Sequence, residues 1–141
     1  MKTLKLMIPV LILFLMSCID EPAPVKTEKE IVQEISRVWN CEEFEEGFGA
    51  LPSFDATISD DPSNDAGILI SNFHGLGTTS ISATVRTDLT IEIPEQTLFE
   101  QTYIGSGEIS NDFTRITWDY TIENADGTVR ITATYTYGTT S

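Results

Sequence analysis

From Val38 onward, apolar and polar residues alternate one for one in short blocks, the period of a strand with one buried face. Ser53 to Ser59 sets Phe54, Ala56 and Ile58 against Asp55 and Thr57. Ile81, Ala83 and Val85 alternate with Ser80, Ser82, Thr84 and Arg86, and Leu89, Ile91 and Ile93 with Thr90 and Glu92. Ile116, Trp118, Tyr120 and Ile122 alternate with Thr117, Asp119, Thr121 and Glu123. Val129, Ile131, Ala133, Tyr135 and Tyr137 do the same with Arg130, Thr132, Thr134 and Thr136. Between these last two blocks, Asn124-Ala125-Asp126-Gly127 is turn chemistry, so the pair predicts a hairpin. Trp39 to Phe44 predicts a first strand, and Gly67 to Phe73 a more continuously apolar one. In Thr102 to Ser110, Gly105 and Gly107 share a face with Tyr103 and Ile109, which leaves room for a large neighbour over the backbone. Asp60 to Asp65 is a dense turn, and Pro94 is expected to end or break its strand.

About eight strands with mostly short connections suit consecutive antiparallel neighbours. The fold class is therefore all-β: an up-and-down meander of about eight strands, closed or partly open as a small barrel, with a sandwich as the other packing. Closure removes the edges that a lone meander would expose. Ahead of the strands, Thr27 followed by Glu30 fits a capping box. Ile31, Ile35 and Val38 then recur at helical or near-helical spacing, predicting a short N-terminal helix to about Arg37. Ile19 to Lys26, with Pro22 and Pro24, reads as a tether.

At the N-terminus, Lys2 and Lys5 precede an apolar run of 11 residues, Leu6 to Met16. A membrane-spanning helix needs roughly 20, so this is the pattern of a secretory signal. Leu15-Met16-Ser17-Cys18 resembles the lipobox of bacterial lipoproteins. That resemblance implies cleavage before Cys18 and a thioether-linked diacylglycerol on its thiol. The chain then divides into a signal peptide (1–17), a lipidated cysteine with its tether (18–27) and one all-β domain (28–141). Ile19-Asp20-Glu21 resembles the export signal that sends Bacteroidota-type lipoproteins to the cell surface. It implies an outer-membrane address with the domain facing outward.

Two further resemblances concern the domain. Ile35-Ser36-Arg37-Val38-Trp39 resembles the start of a lipocalin-type (calycin) barrel, with Arg37 where that motif usually has glycine. Ile58 to Asp65, Ile68 to Phe73, Leu89 to Gln96, Gly105-Ser106-Gly107, Ile116-Thr117-Trp118 and Thr132 to Tyr135 are similar to small Bacteroidota lipoproteins with an all-β domain. The likeness spans most of the mature domain and implies fold and location, without an activity.

With 8 basic and 22 acidic residues the formal net charge is −14, and loss of Lys2 and Lys5 with the signal takes it to −16. Such a charge opposes nucleic acid and anionic headgroups. It leaves the lipid anchor as the contact with the membrane. Once Cys18 carries lipid, Cys41 has no partner for a disulfide, and its acidic neighbours Glu42 and Glu43 disfavour a thiolate.

No set of residues points to catalysis or to a cofactor. His74 reads as a loop or strand-end histidine, and Glu42, Glu43, Glu45 and Glu46 as a solvated rim. Gly105-Ser106-Gly107 is not a phosphate loop, since no helix follows it. Asp60, Asp61, Asn64 and Asp65 offer oxygen ligands for calcium, although a hairpin turn accounts for the same residues. Trp39, Tyr103, Trp118, Tyr120 and Tyr135 are core aromatics that would equally line a ligand pocket. The functional expectation is a non-enzymatic binding domain for a small apolar molecule or a surface partner. The alternatives are a structural or interaction protein using its acidic outer face, and a hydrolase using the glutamate rim.

Overall fold

In the computed structural model, which describes residues 24–138, the domain begins with a helix, α1 (Glu28–Ile35). The capping box is present: the Glu30 amide donates to the Thr27 hydroxyl (3.3 Å) and the Thr27 amide to the Glu30 carboxylate (2.8 Å). Ile31, Val32 and Ile35 are buried. Val38, expected on the same face, already lies in the first strand and points to solvent. Among the described residues, no helix is long and apolar enough to cross a membrane.

The strands are β1 (Val38–Glu45), β2 (Gly49–Ala50), β3 (Phe54–Asp61), β4 (Asn64–Ser71) and β5 (Ser80–Val85). They continue as β6 (Thr90–Leu98), β7 (Gln101–Ile109), β8 (Arg115–Asn124) and β9 (Gly127–Thr136). From β3 to β9 each strand pairs antiparallel with the next, and β1 pairs with β3. The β1–β9 pairing, from Asn40 opposite Thr136 to Glu45 opposite Ile131, closes the ring. The result is one closed eight-stranded barrel rather than a sandwich, with β2 added beside the end of β1.

Pro94 does not end its strand. β6 runs through it to Leu98, with a register shift between Ile93 and Gln96. Direct β5–β6 pairing is confined to Thr84–Glu92 and Val85–Ile91. Beyond it the Gln96 side chain takes over the ladder: Oε1 accepts from the Ser82 amide (3.0 Å) and Nε2 donates to the Ser82 carbonyl (2.8 Å). A proline without an N–H is tolerated where a bulge removes the need for one.

Inward side chains fill the barrel. Trp39, Tyr103, Trp118, Tyr120 and Tyr135 are each 2 % exposed or less. At one end α1 covers the core, and the Trp39 indole N–H donates to the Ile35 carbonyl (2.9 Å), satisfying a helix-terminal acceptor. At the other end, a single 3₁₀ turn (Phe73–Gly75) drops Phe73 among the rings of Tyr120, Tyr103 and Trp118, with centroids 4.7, 6.2 and 6.3 Å away. Gly105 and Gly107 let Tyr120 and Trp118 lie against β7, as their alternate spacing predicts.

Three hairpin turns at the α1 end share one device. Asp61, Asp88 and Asp112 each accept from the backbone amide and the hydroxyl of the residue two positions on: Ser63, Thr90 and Thr114. These bonds favour the ionised carboxylate, so all three titrate below the ordinary aspartate range, Asp112 at about 2 with Ser110 also donating to it. A depressed folded-state pKa gives stability that is complete above the unfolded value near 3.8 and lost as pH falls through the folded values. The thermal midpoint is therefore expected to hold from neutrality to about pH 4 and to fall steadily toward pH 2. Calorimetry across that range checks this; a triple Asp→Asn variant should show a flatter decline.

Candidate functional site

Inward alternation along β1 puts Glu43 on the same face as Trp39 and Cys41. It is 4 % exposed, the one buried charged side chain among the described residues. Two partners meet its carboxylate. The Tyr120 hydroxyl donates to Oε1 (2.6 Å), and His74 Nδ1 lies 2.7 Å from Oε2 and 2.9 Å from the Tyr120 oxygen. With the proton on Nδ1, His74 donates to the carboxylate and keeps Nε2 as an acceptor.

Backbone geometry brings His74 there. Asn72 and His74 are left-handed, with φ of 59° and 51°, and the Asn72 amide side chain bridges the Asp55 carbonyl (2.7 Å) and the Gly77 amide (2.7 Å). Residues 31 and 77 positions apart thus converge at the mouth of the barrel away from α1. Burial first, then the Glu43 charge and hydrogen bond, push the Tyr120 hydroxyl far above its ordinary value. Tyr103, which donates to Gln101 Oε1 (2.8 Å), is raised by burial and by the Glu43 charge. Both phenols stay protonated and serve as donors. The cluster ties β1, β8 and the turn together, with one imidazole edge half-open to solvent.

One expectation changes here and one is extended. The glutamates do not form one solvated rim: Glu42 and Glu46 are exposed, whereas Glu43 points into the barrel, so Glu42 and Glu43 lie on opposite faces of the sheet. His74 does lie in the turn after β4, as expected, and the structure adds that it is held against a carboxylate. The signal for Glu43 was its phase with Trp39 and Cys41; no local pattern marked His74.

The other sequence candidates fall as follows. Asp60, Asp61, Asn64 and Asp65 sit on and beside the tight β3–β4 turn, where Asp61 accepts from Ser63 and Asn64 from the Ala66 amide (3.1 Å). Among the described residues, no group of three or more His, Cys, Asp or Glu is placed to hold a metal ion. Cys41 is fully buried, and burial pushes its thiol up to about 12, with smaller contributions from Glu43 and Asp55 rather than Glu42. Of the five aromatics, the Trp118 indole N–H and the Tyr135 hydroxyl have no hydrogen-bond partner, and their rings lie 5.4 Å apart. Cys18 lies outside the described residues.

A second feature lies outside the barrel. A groove of about 650 Å³ runs across β1, β9, β8 and β7. The pairing register sets two rows across its floor: Glu42–Thr134–Thr117–Glu108, and Phe44–Thr132–Asp119–Ser106. At strand spacing each row is about 14 Å wide. Phe44 is exposed at one flank, and Arg130 forks onto both Asp119 oxygens, through Nε at 2.9 Å.

No protein-family model and no curated protein matches this chain. Function is therefore read from these two sites. The mouth cluster is closed on itself: Tyr120 and His74 both donate to Glu43, and their own polar atoms lie 2.9 Å apart. The groove, by contrast, presents Thr117, Thr132, Ser106, Glu42 and Glu108 to solvent.

Proposed function

We propose that this protein is a non-enzymatic, lipid-anchored domain of the bacterial outer membrane that binds a partner on the outside of its barrel. The observation that carries the reading is the filled interior. Tyr103, Trp118 and Tyr120 pack on Phe73, Tyr135 packs on Trp118, and Trp39 is buried under α1 with its ring against Tyr137, while α1 and the Phe73–Gly75 turn lie over the two ends. Of the two ligand classes compatible with the sequence, an apolar molecule inside the barrel has to displace this packing. A surface partner does not. The anchor rests on Leu15-Met16-Ser17-Cys18, and the outward-facing address on the acidic residues behind it.

The chain geometry supports that arrangement. The Lys26 ammonium lies 5.7 Å over the Phe113 ring and the Arg37 guanidinium donates to the Phe113 carbonyl (3.2 Å), so the tether joins at the end with the β7–β8 turn. The opposite end, with the Phe73–Gly75 turn, is the one farther from Lys26. Labelled palmitate should incorporate into the wild type and not into Cys18→Ser, and a fatty-acid titration should leave tryptophan fluorescence without a saturable change. Saturable quenching would move the site back into the barrel; absence of label would remove the anchor.

A further inference from the structure

We infer that the α1 end of the barrel rests on the bilayer and that the cleft around Arg37 takes a zwitterionic phospholipid headgroup; this rests on the lipid-anchor reading above. Chain length is the first reason. Pro24 follows Cys18 by six residues, which span about 20 Å when fully extended. Tilted strands of eight to ten residues make the barrel wall about 20–25 Å tall. A lipid on Cys18 therefore leaves the domain two postures at the membrane: end-on at α1, or lying on one side.

Charge separates the two. The described cations are Lys26, Lys29, Arg37, Arg86, Arg115 and Arg130. Arg86 and Arg130 are each held by a carboxylate, Glu92 and Asp119. Lys29, Arg37 and Arg115 have no carboxylate partner among the described residues. All three lie at the α1 end, on the helix, just after it and at the first residue of β8. The side wall thus offers a phosphate little beyond a spent arginine, whereas the α1 end offers free cations.

Arg37 carries the third observation. It lines a cleft of about 550 Å³ together with Lys26, Glu30, Glu34 and Tyr137. Its guanidinium lies 3.7 Å over the Tyr137 ring and 5.3 Å from the Trp39 ring, and Nε is buried without an acceptor. Nη2 donates to the Phe113 carbonyl (3.2 Å), and Nη1 has no acceptor among the described residues. A guanidinium fixed in plane by aromatic faces, with donors to spare, suits a phosphate. Glu30, which also caps α1, and Glu34, 3.4 Å from Lys26, place carboxylates in the same cleft for the ammonium of the headgroup. A mature domain of net charge −16 (−14 less Lys2 and Lys5) can then touch a membrane through a headgroup of no net charge, while its field repels anionic ones. Tyr137 and Val25, both exposed, add the amphipathic ring and apolar side chain found where proteins meet headgroups.

The test uses the full-length lipidated chain in vesicles of phosphatidylethanolamine and phosphatidylcholine. A dye is attached to Asn111→Cys in the β7–β8 turn or to Asp126→Cys at the opposite tip, Cys41 being buried. Lipid carrying a nitroxide on its headgroup quenches a dye that touches the surface. The dye at position 111 is expected to be quenched and the dye at 126 to stay bright. Arg37→Gln should lower quenching at 111 about fivefold, and the exposed pair Lys26→Gln/Arg115→Gln about threefold. Arg130→Gln, the same loss of charge toward the opposite end, should change it less than about twofold. Phosphatidylglycerol in place of the zwitterionic lipids should lower it too. The inference is overturned if the two dyes are quenched alike, or if Arg130→Gln matches Arg37→Gln. It also fails if phosphatidylglycerol quenches more strongly, or if excess inorganic phosphate abolishes the contact, which would make the cleft a site for the free anion. Two bright dyes on a chain that incorporates palmitate and floats with the vesicles would sink this inference and leave the anchored reading standing; a chain without label would remove both.

Discussion

Gly105→Ala is expected to be the most damaging single methyl in the domain. A Cβ there would stand 2.4 Å from the Asp119 carbonyl oxygen, 2.4 Å from Tyr120 Cβ and 2.5 Å from Tyr120 Cα. These are backbone and near-backbone atoms of the neighbouring strand, which cannot rotate aside. Overpacking ordinarily costs about 1–3 kcal/mol because side chains give way. Here β7 and β8 have to separate at the centre of their ladder, so about 4 kcal/mol or more is expected, a large share of a small domain's stability. Gly107→Ala is the internal comparison. Its Cβ meets the Trp118 ring at 2.6 Å, a side chain that can tilt, so the smaller cost of about 1–3 kcal/mol applies. Denaturant unfolding of both variants reads the difference. Equal losses, or a Gly105→Ala loss below about 1 kcal/mol, would mean that the two strands do not approach as closely as described.

Removing the Glu43 carboxylate should have the second-largest effect. Glu43→Ala leaves the Tyr120 hydroxyl and His74 Nδ1 without the acceptor they share inside the barrel mouth. The two groups left behind are neutral donors that still lie 2.9 Å apart, so the expected cost is that of unsatisfied buried polar groups, about 1–3 kcal/mol for each. Tyr120→Phe removes one donor and keeps the ring packed on Phe73, so about 1–3 kcal/mol is expected. The double variant should cost clearly less than the sum, since each single change strands the other partner. Strict additivity of two small effects would show that the three groups do not act as a unit. Hydrogen exchange adds a local reading: the Gly75 and Leu76 amides, bonded to Asn72 and Phe73, should lose protection first in Glu43→Ala.

Both effects arise where distant strands meet, and so does the groove. A residue's phase within its own strand is written locally. The alternation of Ile116 to Ile122 and of Val129 to Tyr135 declares which side chains face inward, and those assignments agree with the observed burial. The same rule applied to Trp39, Cys41 and Glu43 marks Glu43 as inward, against the stronger impression left by four glutamates in five positions. Phe44, one step out of phase, is exposed for the same reason.

By itself, the amino-acid order determined the eight strands of the barrel though not the short β2, the antiparallel meander, the capping box of α1 and the inward face of nearly every strand, because these depend on periods of 2.0 and 3.6 residues and on turn chemistry within a few positions. It also carried the lysine-flanked apolar run and Cys18. Only the tertiary structure decided that β1 meets β9, that β6 passes through Pro94 with Gln96 completing the seam, that His74 reaches Glu43, and that Glu42 and Glu108 share one row on the outer face. Each of these joins residues from separate strands or loops, and barrel closure sets the register that brings them together.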